Sequence, residues 1–257
     1  MTGVVTAPEM THHLRPVSLA ELDEAASLLD RVERKYVVPA DAVTAMLADH
    51  ADRLRVLDID GRQSFAYESC YFDTPELDSY RGAALARRRR FKVRTRTYAD
   101  AGVSLLEVKT RDGRGRTVKH RRPIDHGERS RVPVELRSFV DAASGVDGVG
   151  ARLVEILGSR YHRTTLLDPV GGARVTLDSG LVCLAPDGRY THLGGDLVLE
   201  TKSPGAATVI DRWLWAHRIR PAKISKFGSG LAALHPELSS NKWHRTLGRH
   251  FATADAR

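Results

Sequence analysis

The segment Phe91–Tyr98 reads FKVRTRTY, so Lys92, Arg94, Arg96 and Tyr98 alternate with Phe91, Val93, Thr95 and Thr97. Residues two apart on a strand share a face, so this spacing predicts a β-strand with cations on one side and apolar or small groups on the other. Few features restrict a fold more, because a strand of this kind must cover one face and give the other a polar environment. The pattern recurs. Val103–Thr110 aligns Glu107 with Lys109, and Thr117–Arg122 aligns Lys119 with Arg121 across the turn RDGRGR. Arg31–Val38 aligns Glu33 with Lys35, Ala173–Asp178 aligns Arg174 with Asp178, and Asp196–Ser203 aligns Glu200 with Lys202.

Helical segments separate these strands. Ser18 followed by Glu21 reads as a capping box opening a helix to about Leu29, and Pro39 starts a second one carrying Val43, Met46 and Leu47. Pro133–Ala143, Gly148–Leu157 and Ala206–His217 also read as helices. Helices inserted among antiparallel strands predict an α+β fold. Residues 1–16 are expected to be disordered, 17–235 to form a single domain, and 236–257 to be a tail.

Charge placement indicates the partner. The chain carries 40 Lys/Arg against 32 Asp/Glu, a net +8. Between Arg81 and Arg131 seventeen Lys/Arg face five Asp/Glu, a local balance of +12, which leaves −4 for the remainder. Such concentration predicts a polyanionic partner.

One charged strand face is ordinarily a solvated surface. Six strands with the same habit, backed by apolar or small residues, predict instead that the charged faces turn inward. About eight strands close a barrel wide enough for one extended ligand. The expected fold is therefore a closed antiparallel β-barrel forming a tunnel with flanking helices. Like charges so crowded would repel when the lumen is empty, and a phosphate chain relieves that repulsion. Arginine binds phosphate oxygens as a fork and lysine as a point charge. The carboxylates suit a hard divalent cation bridging protein and phosphate.

The ordered set ERKY (Glu33–Tyr36), YFDT (Tyr71–Thr74), FKVRTRTY, LEVK (Leu106–Lys109), Arg163 in YHRTT, RVTLD (Arg174–Asp178), LETK and KISKF (Lys223–Phe227) resembles the VTC-type polyphosphate polymerase domain. That domain belongs to the triphosphate tunnel metalloenzyme, or CYTH-like, superfamily. The resemblance implies that Lys35, Arg94, Arg96, Lys109, Lys119, Arg163 and Arg174 hold the phosphate chain, with Lys92, Arg121 and Lys202 on the same faces. It implies that Glu200 binds the metal, with Glu33 and Glu107 in support, and that Lys223, Ser225 and Lys226 lie at the site of phosphoryl transfer, where Arg94 and Arg96 also act as catalytic residues. The implied reaction moves the γ-phosphate of ATP onto inorganic polyphosphate, with Mn²⁺ or Mg²⁺ as cofactor.

Two other readings share this pattern: hydrolysis of inorganic or nucleoside triphosphates, and a non-catalytic polyphosphate-binding module. Nucleic acid is not the expected partner, since Tyr98 is almost the only aromatic among the basic strands. The run Arg87–Arg90 reads as a solvated strand entry or tunnel mouth. Asp73 is expected to cap the YFDT turn, and Trp213 to lie in the core. No stretch of about 18 apolar residues occurs and no secretory signal is evident, so a cytoplasmic location is expected. Cys70 and Cys183 read as reduced core thiols, and a membrane-protein partner could receive the product.

Overall fold

The computed structural model describes residues 10–25, 32–111 and 117–254. Contacts divide the chain into two compact units. The first takes in the described residues up to Phe65, then Tyr161–Leu181 and Leu193–Ile224; the second takes in Ala66–Arg160, Val182–His192 and the residues from Ser225 onward. Residues 1–9 of the expected disordered stretch lie outside the described residues, and from Met10 the chain is placed, with Met10 and Leu14 buried.

In the first unit, β1 (Arg15–Val17) runs parallel to β3 (Arg55–Leu57). Strand β2 (Val32–Val38) pairs antiparallel with β11 (Leu197–Ser203), which pairs in turn with β9 (Ala173–Leu184). Helix α1 (Leu19–Ala25) opens as predicted: the Ser18 amide donates to the Glu21 carboxylate at 2.9 Å, and the Glu21 amide to the Ser18 hydroxyl at 3.3 Å. Residues 26–29 of its predicted extent lie outside the described residues. Helices α2 (Ala40–Asp49) and α6 (Val209–Ala216) bury Val43, Met46, Leu47, Ile210 and Leu214 with Tyr36, Val38, Val175, Leu177 and Leu199 from the strands. Trp213 packs against this core only partly buried, its indole N–H donating to Asp49 at 2.7 Å. Burying Val175 and Leu177 of β9 and Leu199 of β11 obliges Arg174, Thr176 and Asp178, and Glu200 and Lys202, to take the other face.

The second unit is built on a meander of β4 (Phe65–Asp73), β5 (Arg90–Tyr98), β6 (Val103–Arg111) and β7 (Thr117–Ile124). One face carries Cys70, Phe72, Val93, Leu106 and Val108, covered by α4 (Arg137–Ser144) and α5 (Val149–Arg152) through Val140 and Val149. Helix α3 (Asp78–Ala84) begins where the buried Asp73 accepts the amides of Thr74, Ser79 and Tyr80 at 2.8–2.9 Å, so this residue caps a helix start. Helix α7 (Lys226–Leu234) lies beyond the unit boundary that splits the KISKF motif. Its Phe227 packs with Tyr71 and Tyr80, and Tyr80 with Trp243. Beyond residue 235, where a tail was expected, the buried Trp243, α8 (His244–His250) and β12 (Ala252–Ala254) follow.

Two sequence expectations are corrected. The sheet is not a closed barrel. Its hydrogen-bonded order, with β8 (Val154–Asp168) and β10 (Tyr190–His192), is β12-β10-β9-β8-β4-β5-β6-β7, a path with two ends. Among the described residues β7 pairs with β6 alone. The reason is legible in β7 itself: Lys119, Arg121 and Arg122 decorate it and Pro123 lacks an amide hydrogen, features that leave a strand at an edge. The helix read at Gly148–Leu157 is only α5, four residues long, and β8 starts at Val154. The β-branched Val154 and Ile156 favour the strand.

Candidate functional site

Each unit carries a charged sheet face. In the second, antiparallel pairing places Arg90 opposite Arg111, Lys92 opposite Lys109, Arg94 opposite Glu107 and Arg96 opposite Leu105. Strand β7 extends the rows, with Lys119 opposite Lys109 and Arg121 opposite Glu107. Residues directly opposite in an antiparallel pair share a face, so these side chains form one cationic surface backed by the apolar core.

Glu107 is the carboxylate at its centre, with 1 % of its side chain exposed. One of its oxygens accepts both Nε and Nη2 of Arg94 at 2.7 Å. The other contacts the Lys119 ammonium, and lies 3.3 Å from Nε of Arg121. Burial opposes its charge, but Arg94, Arg96 and Lys119 outweigh that and hold its pKa down at about 2. Lys119 is pushed down to about 7, chiefly by burial, with Arg94 and Arg96 adding to the effect against the pull of Glu107.

Tyrosines support the cations from β4. Arg96 lies over Tyr67 at 5.5 Å and Arg94 over Tyr71 at 6.0 Å, while Lys92 sits 4.9 Å from the ring centre of Phe227. The spacing of Tyr67 and Tyr71 shows them on one face of β4, a signal present in SFAYESCYF but not assigned from sequence. The KISKF motif meets this face through Ser225, whose hydroxyl accepts the Gly228 amide at 3.2 Å as the cap of α7 and lies 3.4 Å from the Lys92 ammonium. Lys226 is the first residue of α7 and half-buried, and its unit therefore contains Lys92, Arg94, Arg96, Lys109, Lys119, Arg121, Ser225 and Lys226 together.

The first unit gathers the rest. Lys35 lies opposite Glu200, and Lys202 opposite both Glu33 on β2 and Arg174 on β9. The Lys35 ammonium stands 3.2 Å from Glu200 and 3.4 Å from Glu33, and Lys202 stands 3.0 Å from the other oxygen of Glu200. Burial works against the charge of Glu200, yet Lys202, Lys35 and Arg163 bring its pKa to about 2. Burial lowers the pKa of Lys202; it opposes the charge of Lys35 too, but Glu200 and Glu33 leave that pKa raised. Arg163 is engaged by Asp178 through two hydrogen bonds at 2.6 and 2.8 Å. Asp178 was aligned with Arg174 in the sequence but given no role there. Arg174 itself donates to Asp23 at 2.8 Å and to the Leu22 carbonyl at 3.3 Å. Lys223 is exposed.

The three glutamates differ as metal ligands. Among the described residues no group of three His, Cys, Asp or Glu converges. A magnesium-like ion needs only one or two carboxylates when phosphate oxygens and waters complete its shell. Glu200 and Glu33 both reach the Lys35 ammonium and so point to one place, and could meet that demand only once Lys35 and Lys202, which now hold the two oxygens of Glu200, move to phosphate. Glu107 does not, because Arg94, Lys119 and Arg121 already surround it and a dication there would add to their repulsion. Cys70 and Cys183 are free and buried. Among the described residues no helix is long and apolar enough to cross a membrane.

Residues 30–138 match the family model of the VTC domain. No curated protein matches the sequence. Among solved structures, HpAC1 from Hippeastrum, put forward as an adenylyl cyclase and described as having a dominant triphosphatase activity, superposes with a TM-score of 0.51 at 18% identity, covering 77% of this chain and 93% of that one. The PH1819 protein of Pyrococcus horikoshii OT3 gives 0.46 at 12% identity over 80% and 98%. At these identities the likeness to HpAC1 concerns the fold.

Proposed function

We propose that this chain, whose residues 30–138 match the VTC domain, is a polyphosphate polymerase of the triphosphate tunnel type. It would transfer the γ-phosphate of ATP to the terminal oxygen of a growing inorganic polyphosphate chain. The new P–O bond forms at that oxygen, the bond to the β-phosphate breaks, and ADP leaves. The observation that carries the reading is the cationic face of β5, β6 and β7, in which the buried Glu107 stands among Arg94, Lys119 and Arg121. Such a face neutralises a multiply charged chain without a protein nucleophile, and phosphoryl transfer needs mainly positioning and charge cancellation.

In this reading Lys92, Arg94, Arg96, Lys109, Lys119 and Arg121 hold phosphate oxygens in the second unit, with Ser225 and Lys226 beside them at the transfer point. Lys35, Lys202, Arg163 and Arg174 hold phosphate in the first unit, and exchange their present carboxylate partners for it. Lys223 is assigned with Lys226 on the motif alone. Glu200 and Glu33 would anchor Mn²⁺ or Mg²⁺. When bound, that ion supplies charge neutralisation on the phosphate oxygens.

Triphosphate hydrolysis is the second reading, favoured by the fold shared with HpAC1. Incubation of the purified protein with ATP and Mn²⁺, and separately with triphosphate, followed by resolution of products by length, decides between them. Chains longer than the starting material support the polymerase. Orthophosphate without chain growth supports the hydrolase.

A further inference from the structure

We propose that Arg87, Arg88, Arg89 and Arg90, together with Arg111, form a track for the distal part of a long polyphosphate chain, and that this track lets the protein prefer long chains to triphosphate. The proposal rests on the phosphate-chain reading above and extends it to residues outside the assigned site.

The face of β5 continues past the cluster. Arg96, Arg94, Lys92 and Arg90 occupy every second position of the strand, and Arg90 stands directly opposite Arg111, one row beyond Lys92, Lys109 and Lys119. Rows two residues apart are separated by about 7 Å, so a triphosphate covers about two rows and only a longer chain reaches the Arg90–Arg111 row from Arg94. Like charges directly opposite each other destabilise a strand pair. Two successive rows of this kind are accounted for by an anion that lies across both.

The arginine run is held in place. Ala86 has φ +52°, a left-handed conformation that side-chain-bearing residues rarely adopt, and it turns the chain out of α3 toward β5. The Arg87 amide then donates to the Gly82 carbonyl at 2.9 Å, and the Arg87 carbonyl accepts Nη1 of Arg90 at 2.6 Å. Arg87, Arg88 and Arg89, immediately before β5, are left exposed. No aromatic residue occurs in 85–90, so bases would find no stacking platform there, whereas a chain of phosphates needs only charge.

The test compares the parent with the variant Arg87→Ser/Arg88→Ser/Arg89→Ser, and with Arg111→Gln, by titration with triphosphate, with long-chain polyphosphate and with a single-stranded RNA. Both variants should melt at the parent temperature and bind triphosphate within about twofold of the parent. Long-chain affinity should fall roughly tenfold in the triple variant, the loss expected for removing a few exposed ion contacts. Equal losses for triphosphate and long chain, or no loss for either, would overturn the track. A greater loss for RNA than for polyphosphate would overturn it in favour of nucleic acid. Failure of the parent to bind either phosphate chain removes the track and the proposed function together. A length preference that persists in a protein that never extends chains leaves the track standing and removes only the polymerase.

Discussion

Arg94 and Glu107 face each other across β5 and β6, and two guanidinium nitrogens of Arg94 meet one oxygen of Glu107 at 2.7 Å each. The other oxygen serves Lys119 and Arg121, so a single buried carboxylate balances three cations. The cluster is thus one anion held against an excess of positive charge, a state that a phosphate chain completes.

Replacing Glu107 with Gln should destabilise the free protein by about 1.5–3 kcal/mol, because the half-buried Arg94 and Lys119 lose their counter-charge while solvent screens the exposed Arg121. Saturating polyphosphate should recover much of that loss by supplying the missing anion. Thermal melts with and without polyphosphate measure both effects. A variant as stable as the parent in the absence of ligand would show that Glu107 does not hold the cluster together.

Lys119 predicts a pH dependence. With its pKa near 7 in the free protein it is largely neutral above that pH, while its unfolded value is about 10.5. The folded protein therefore binds fewer protons than the unfolded chain between those values, so this group makes stability rise with pH across that window. A bound phosphate chain has the opposite preference and favours the ammonium. Chain binding should take up a proton above about pH 7, and affinity should decline as pH rises. Calorimetry in buffers of different ionisation enthalpy, on the parent and Lys119→Met, measures the uptake. Identical proton uptake in both would assign it to another group.

Glu200→Gln should weaken Mn²⁺ activation by roughly tenfold or more and leave the fold intact, since the amide keeps the size of the side chain and removes the charge that anchors a hard cation. Glu33→Gln should act in the same direction but less. Their low-pH behaviour should also differ from that of the parent. The depressed pKa of Glu200, about 2, stabilises the fold above the ordinary carboxylate range and is lost as pH falls toward 2. A metal titration unchanged by Glu200→Gln would move the ion elsewhere.

The strands were legible because their period is two and their chemistry is segregated. FKVRTRTY, LEVK and LETK lie on strands, with the expected residues sharing faces. Closure was not legible, because alternation specifies faces but not what the last strand meets. Pro123 and the charged β7 were the available signal that the sheet ends there. The glutamate–lysine spacing was also misleading about Glu107, whose ion pairs run across strands to Arg94, Lys119 and Arg121. Pairing along one strand is visible in sequence, whereas pairing across strands depends on register. For the same reason Asp178, which engages Arg163 from β9, showed no role until the strands were placed side by side.

Lys226 separates an enzyme from a binding module. It opens α7 immediately after the cap Ser225, whose hydroxyl lies 3.4 Å from Lys92. A lysine at the transfer point contributes most when charge has shifted onto the oxygens of the passing phosphoryl group. Lys226→Met keeps the aliphatic stem and removes the ammonium. For an enzyme kcat should fall by about 10²-fold or more, the scale of losing one electrostatic stabiliser. Binding of a phosphate chain should change much less, since Lys92, Arg94, Arg96 and Lys109 remain on the same unit. Arg94→Met is the comparison, and should weaken binding and rate together because it holds the chain and pairs with Glu107. A binding module would give no turnover in the parent and a modest affinity loss in both variants. Undiminished ATP-dependent chain growth in Lys226→Met would place the transfer step at other residues.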